Sequence, residues 1–390
     1  MILIGDYVGF SQKVKLDSSF DGKLVLGNLE GPWCETTGKP QPKKAGPRVW
    51  NAFLAEGPKW AFTLANNHMM DFGEEGLAET KSRLEARGVP FVGAGDLATA
   101  MKPMILEDSG KKIGVIACAE LQFGMAEEGR VGVAPMGLWI FEAIRRLKQE
   151  VDVVIVSCHA AVEMIPVPSP RLREFYHALI DAGATIIHGH HAHVPQGWET
   201  YKNGYIFYGL GNFLVSPIAW RGGRNTLWSL TAEVDLSGEK PMVSVTPARI
   251  VQEGDMTSVV LDPTFAPTYC EQLSTIFKNE ALFRGVWQEL AIRTYHELYE
   301  NNLGFYPIDA TRLSSRNWIK RLYHAVKTLI AFFLRKNTSV YGLVQYNYLQ
   351  CFSHYDCIAE AMGVQLGARK DWRTIDIARI SELLANEATF

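Results

Sequence analysis

Short apolar, β-rich runs alternate with amphipathic stretches over the first two thirds of the chain. MILIGDYVGF opens on such a run. Others lie at Leu24 to Leu26, Trp60 to Leu64, Phe91 to Val92, Ile113 to Ala117, Val151 to Val156, Thr185 to Ile187, Tyr205 to Tyr208, Leu227 to Val234 and Met242 to Val245. Helical periodicity separates several of them, at Glu74 to Arg87, Leu138 to Lys148 and Arg171 to Ala182. The last has Ser169 placed as N-cap, Pro170 in the first turn and Gly183 as its stop. Strand and helix in alternation predict an α/β layout.

After about Asp262 glycine thins out and long helical periodicity takes over, which predicts an α/β domain over 1–262 and an α-helical C-terminal domain over 263–390. Within the latter, Arg312 to Lys336 carries seven basic residues and no acid, with Trp318, Leu322, Val326, Leu329 and Phe333 at helical spacing. Two readings fit: a packed helix with a solvated basic side, or a basic amphipathic helix on an anionic membrane.

The chemistry-bearing residues fall at one kind of place. Asp6, Glu30, Asn67, His159 and the stretch HGHHAHVPQG each follow an apolar run. Loops at the C-terminal ends of strands in such sheets converge on one edge, so residues far apart in sequence can share a site.

Composition narrows the function classes. With 390 residues, 47% hydrophobic and 21% charged, the chain has material for a large core or two smaller ones. A net charge of -3 and a pI near 6.4 supply no field for gripping a nucleic acid, so no nucleic-acid partner is expected. The opening residues lack the basic and apolar regions of an export signal, and no apolar run approaches the ~18 to 20 residues of a membrane span. A cytoplasmic protein is expected, at most peripheral at the inner membrane face. Six cysteines without CxxC spacing fit reduced thiols in such a compartment.

Four of the ten histidines sit in HGHHAHVPQG, at His188, His190, His191 and His193. Imidazole nitrogens and carboxylate oxygens are the donors that zinc, manganese and iron prefer, and two such ions need a bridging carboxylate. In an extended or turning loop His191 and His193 point the same way, by the period of two, and serve one metal centre together or one of two centres each.

These residues carry a resemblance. Gly5-Asp6, GNLEG at Glu30, LANNHMMDFG from Asn67 and His68 to Gly73, VGAG ending at Gly95, the His159 to Glu163 spacing in HAAVE, GHHAHVPQ and YGLGNF at Asn212 together resemble the bacterial capsule-synthesis protein CapA family, of poly-γ-glutamate capsule type, related to calcineurin-like metallophosphoesterases. The resemblance covers Met1 to about Asp262. It implies an α/β/β/α sandwich whose loops hold one or two divalent ions of manganese, zinc or iron. It further implies Asp6 on one metal, Glu30 in place of the bridging aspartate, Asn67 on the second metal, and His159, His191 and His193 completing the shells. His68 would act as general acid or as donor to a phosphoryl-like oxygen, with His190 orienting.

The chain departs from that pattern in places. Related enzymes begin with Asp-x-His, whereas Asp6-Tyr7-Val8 stands here, and the bridging aspartate is a longer glutamate. Ala160 and Ala161 follow His159 where the family commonly has an aromatic residue and a glycine. Around the ligands, Glu163 and Asp71 are placed to orient histidines, though Asp71 equally suits the cap of the helix near Glu74. Arg221 and Arg224 either grip an anionic substrate or lie in a solvated loop. Asn212 either caps a helix or bonds to the site, and Cys158 turns away from His159 into the core.

Two function classes follow. One is a metal-dependent hydrolase or transferase acting on an anionic polymer or small anion in capsule or cell-envelope synthesis. The other is a non-catalytic accessory or scaffold protein that docks membrane-bound synthesis enzymes through its helical domain.

Overall fold

The computed structural model describes residues 1–8, 13–35, 54–215, 224–299 and 346–385. Two compact units form, one from Met1–Lys278 together with the residues from Leu383 on, the other from Asn279–Glu382.

The first unit is built on two mixed sheets. The nine-stranded sheet has a parallel centre, Ile2–Tyr7 beside Leu24–Leu29, then Lys59–Thr63 and Phe91–Val92. On the other side of Ile2–Tyr7 stands an antiparallel wing of Trp228–Asp235, Met242–Glu253 and Met256–Leu261, edged by Lys13–Leu16. Asn212–Leu214 also pairs with Ile2–Tyr7, in parallel. The six-stranded sheet runs Trp198–Tyr201, Gly204–Phe207, Ile186–His190, Val153–His159, Lys111–Ala119 and Met104–Asp108, its four central strands parallel.

Burial on both faces explains why these strands read as apolar runs rather than as alternation. Every residue of Ile2–Tyr7, Leu24–Leu29 and Val153–His159 is buried. The sheets face each other: the His188 ring donates from Nε2 to the Ile4 carbonyl at 2.7 Å. Helices Gly73–Glu85, Trp139–Leu147 and Pro170–Ala182 complete the α/β/β/α sandwich. Trp139–Leu147 lies so close to its sheet that a Cβ on Gly114 would meet Leu147 at 2.5 Å. Pro170–Ala182 starts and stops as its sequence predicts, with Ser169 accepting from the Leu172 amide and Gly183 left-handed at φ 119°.

Gly5 has a particular duty. A Cβ there would stand 1.8 Å from the Gly211 carbonyl oxygen, which accepts from the Asp6 amide at 2.9 Å. Only a residue without a side chain lets the YGLGNF segment close on the strand that carries Asp6.

In the second unit every described element is helical, including Glu280–Thr294 and Phe352–Gln365. A buried amide there, Gln288, donates to Glu360 at 2.8 Å and to the Lys370 carbonyl at 2.9 Å, and accepts from the Trp372 amide at 2.8 Å. The basic stretch Arg312 to Lys336 lies outside the described residues. Among the described residues no helix is long and apolar enough to cross a membrane.

A carboxylate ties helix to sheet in the first unit. Glu199 accepts from both Nε and Nη2 of Arg173 at 3.0 and 3.1 Å, from His177 at 2.8 Å and from the Tyr208 hydroxyl at 2.6 Å. Burial opposes its ionisation, but His177, Arg173 and Tyr208 overcome that and hold its pKa down to about 2, from 4.5. Between those values the unfolded chain takes the proton first, so the stabilisation is complete above pH 4.5 and is lost as pH falls towards 2. Glu199→Gln is expected to cost about 1–3 kcal/mol at pH 7, read from thermal or urea unfolding, and less at pH 3. An equal difference at both values would contradict the role of its charge.

Candidate metal centre

The strand ends do converge. Asp6 is the penultimate residue of Ile2–Tyr7, Glu30 follows Leu29, Asn67 sits in the loop after Lys59–Thr63, and His159 and His190 each end their strands. The parallel register sets His159 beside His190 and Asp6 beside Asn28. Asp6, Glu30, Asn67, His159, His190, His191 and His193 are all buried.

Their donor atoms form three overlapping sets within 4.8 Å: Asp6, Glu30 and His193; Glu30, His159 and His191; and Asp6, His159 and His190. Glu30 joins the first two: its Oε1 lies 3.7 Å from His159 Nε2 and its Oε2 3.6 Å from Nδ1 of the His193 ring, the nitrogen that Asn212 engages, so His193 would take an ion through Nε2. Asp6 spans the centre as well: Oδ1 accepts from Asn28 Nδ2 at 2.8 Å and Oδ2 from the His191 amide at 3.2 Å.

The electrostatics are those of titratable groups withdrawn from water. Burial raises the pKa of Asp6, against the pull of His193. Burial pushes His159 and His190 well below the usual imidazole range, and neighbouring imidazoles add to the effect. His193 is lowered by burial too, opposed by Asp6 and by Glu163. A divalent ion suits this set, because it takes neutral imidazole nitrogens and keeps nearby carboxylates ionised.

The geometry passes a further test. Asn67 Oδ1 and His159 Nε2 lie 2.9 Å apart, while the buried Asn67 Nδ2 makes no hydrogen bond among the described residues. Two donor atoms on one small divalent ion, each about 2.1 Å from it and at a right angle, stand about 3 Å apart. The residues present fit one or two such ions.

Other expected residues fall into place one by one. His68 is partly exposed, and its Nδ1 meets Asp71 Oδ2 at 2.8 Å. Asp71 therefore serves this histidine and not the helix start, where Phe72 is the N-cap and offers no side-chain bond. Asn212 accepts from His193 Nδ1 at 3.0 Å and donates to the Thr226 carbonyl, within a strand and not at a helix end. Glu163 is exposed and acts on His193 through its charge. Cys158 turns into the core against Cys118, at 3.5 Å. Arg221 and the Arg224 side chain lie outside the described residues.

Of the extended or turning loop expected for His191 and His193, the structure has the turning one: both have positive φ, 88° and 60°, their ring planes differ by 58°, and their ring centres are 6.3 Å apart. The loop bends at each histidine, so the two join different donor sets. The departures also acquire a physical form. Val8, where the pattern expects histidine, packs with Val215 and Ile250, and Tyr7 packs edge-on against Trp60 and Phe62.

Several site residues escaped the sequence reading. Glu120 stands 3.2 Å from His191 Nε2 and accepts from Gln122 at 3.0 Å. It directly follows the run Lys111–Ala119, which is the placement that marked the others. Asn28 and Ser157 lie inside strands, where a lone polar residue in an apolar run was the available signal, and His188, seen in the histidine cluster but given no role, lies inside a strand as well.

Burial lowers the pKa of His188 to about 4, from 6.5, against the opposing bond to the Ile4 carbonyl. The unfolded chain binds that proton first as pH falls from 6.5 to 4, so metal-free protein loses stability over this interval. The thermal midpoint is expected to fall between pH 7 and pH 5. A flat midpoint would contradict a neutral, buried His188.

Residues 12–217 match the family model described as bacterial capsule synthesis protein PGA_cap. A capsule biosynthesis protein CapA of Bacillus anthracis is 35% identical over 159 residues, 39% of this chain and 39% of that one. A PGA biosynthesis protein CapA of Bacillus subtilis is 36% identical over 170 residues, 42% and 44% of the two chains. A Mycobacterium tuberculosis protein named for polyglutamine synthesis, as an accessory protein, is 30% identical over 208 residues, 48% and 54%. The chain thus spans about two fifths to one half of the length of these relatives. With the matched segment carrying Glu30, Asn67, His159, His191 and His193, the chain belongs to the bacterial capsule synthesis protein PGA_cap family.

Proposed function

We propose that this protein is a metal-dependent hydrolase or transferase acting on an anionic substrate in the synthesis of capsule or another cell-envelope polymer. One observation carries the reading: Glu30 is common to two buried donor sets, Asp6–Glu30–His193 and Glu30–His159–His191, as a carboxylate serving two neighbouring ions would be. Such ions supply a nucleophile from water near neutral pH and stabilise negative charge at the attacked phosphoryl or acyl centre.

The chain's own residues have separate parts in it. Asp6, Glu30, Asn67, His159, His191 and His193 hold the ions, and Asn212 orients His193 through Nδ1. His68 is partly exposed beside them, and Asp71 occupies its Nδ1. That leaves Nε2 to pass a proton to a leaving group or to hold a phosphoryl-like oxygen. The names of the relatives, which refer to capsule and polyglutamine, favour an anionic polymer or its small anionic units as substrate. The same reading puts the protein in the cytoplasm or at the inner membrane face, with its helical unit directed to membrane-bound synthesis enzymes.

A second reading, a non-catalytic accessory role, draws on Val8 in the place of a ligand and on the accessory designation of the M. tuberculosis relative. Metal content separates the two. Purified protein is expected to carry one or two manganese, zinc or iron ions per chain by elemental mass spectrometry, lost in a folded His191→Ala/His193→Ala variant. Protein that takes up none of the three after reconstitution would shift the assignment to the accessory role. His68→Ala is expected to keep the metal and lose about 10²- to 10⁴-fold in turnover on a phosphoester panel. Undiminished turnover would remove His68 from the chemistry.

A further inference from the structure

A buried line of side chains runs from the core of the sandwich to the metal centre. His188 Nε2 lies 2.7 Å from the Ile4 carbonyl oxygen, and His188 Nδ1 lies 3.1 Å from Ser157 Oγ. Ser157 Oγ is 2.8 Å from His190 Nε2, and His190 Nδ1 is 3.1 Å from His159 Nδ1. His159 Nε2 then faces Asn67 Oδ1 at 2.9 Å. His188 and Ser157 belong to none of the three donor sets, and His190 belongs to one, with an orienting role expected of it.

The direction of the hydrogen bonds follows from one end. A backbone carbonyl only accepts, so His188 carries its proton on Nε2 and presents a lone pair at Nδ1. Ser157 donates its single hydroxyl proton to that lone pair and accepts from His190 Nε2. Its other oxygen neighbour, Thr63 Oγ1, is farther off at 3.4 Å. His190 Nδ1 is then a lone pair, and His159 donates to it from Nδ1. His159 Nε2 is left as a lone pair beside Asn67 Oδ1, which is the form that binds a cation.

A rival arrangement exists. Asn28 Nδ2, which donates to Asp6, also lies 3.2 Å from His159 Nδ1, and if it donated there His159 would carry its proton on Nε2 and give it to Asn67. Either His190 would then donate from Nδ1 and Ser157 to His190, leaving His188 Nδ1 buried against an oxygen with no proton to offer, or the lone pairs of His190 Nδ1 and His159 Nδ1 would face each other at 3.1 Å. A buried acceptor without a donor costs about 1–3 kcal/mol. With a cation on Asn67 and His159, the first arrangement satisfies every link from Ile4 to His159 and leaves Asn28 Nδ2 its bond to Asp6 alone.

We infer that His188 and Ser157 are positioning residues of the metal centre: by relaying the polarity of the Ile4 carbonyl through His190, they hold His159 in the tautomer whose Nε2 binds metal. The inference rests on the metal-centre reading. In Zn2+-loaded protein labelled with 15N-histidine, long-range 1H–15N correlation is expected to show the proton on Nε2 of His188 and His190 and on Nδ1 of His159. A proton on Nε2 of His159, or on Nδ1 of His190, would overturn the relay. Ser157→Ala is expected to fold and to bind Zn2+ ten- to a hundredfold more weakly in chelator competition. Should that variant fail to fold, the tautomers of the wild-type protein decide. Unchanged affinity in Ser157→Ala, with normal binding by the wild type, overturns the relay alone. A wild-type protein that takes up no Zn2+ overturns the metal centre and the relay together.

Discussion

The arrangement depends on how carboxylates and imidazoles can share space without water. Asp6, Glu30, His159, His191 and His193 are gathered where two sheets meet, each almost wholly buried. A lone charge in such a place is costly, and the protein answers by pushing Asp6 towards its neutral form and the histidines towards theirs. A divalent ion reverses half of that balance, for it needs neutral imidazole and ionised carboxylate at once. The cluster is thus a set of groups whose mutual burial a divalent ion would offset.

The scaffold makes that burial possible by bringing strand ends to one edge from both layers. Asp6 and Glu30 come from one sheet, His159 and the histidine loop from the other. The two layers are joined by the bond from His188 to the Ile4 carbonyl. Gly5 is part of the same construction, since its missing side chain admits the segment that brings Asn212 to His193. Rigid supports of this kind matter because ligands misplaced by an ångström lose much of their use.

Departures from the related pattern are absorbed locally. Val8 and Tyr7 hand their places to the apolar packing of the sheet, so one corner of the first donor set has no imidazole from that strand. The extra methylene of Glu30 lets its two oxygens lie near both His159 and His193.

Much of this was legible in the sequence by itself. Alternating apolar runs and amphipathic stretches marked the α/β layers, because strands buried on both faces and helices buried on one have different periods. Ser169, Pro170 and Gly183 marked a helix because caps are local chemistry. Ligand-type residues after apolar runs marked the edge where the site lies. Only the tertiary structure decided the rest. Positive φ at His191 and His193 goes with their standing in different donor sets, where the period of two left one shared centre or two equally open. Whether Asp71 caps a helix or holds His68, and whether Asn212 faces a helix or His193, is a choice between partners equally near in sequence terms. Glu120, Asn28, Ser157 and His188 gain meaning only from residues on other strands. Patterning records which face is dry, whereas pairing across the sandwich is fixed by register, layer packing and backbone bends.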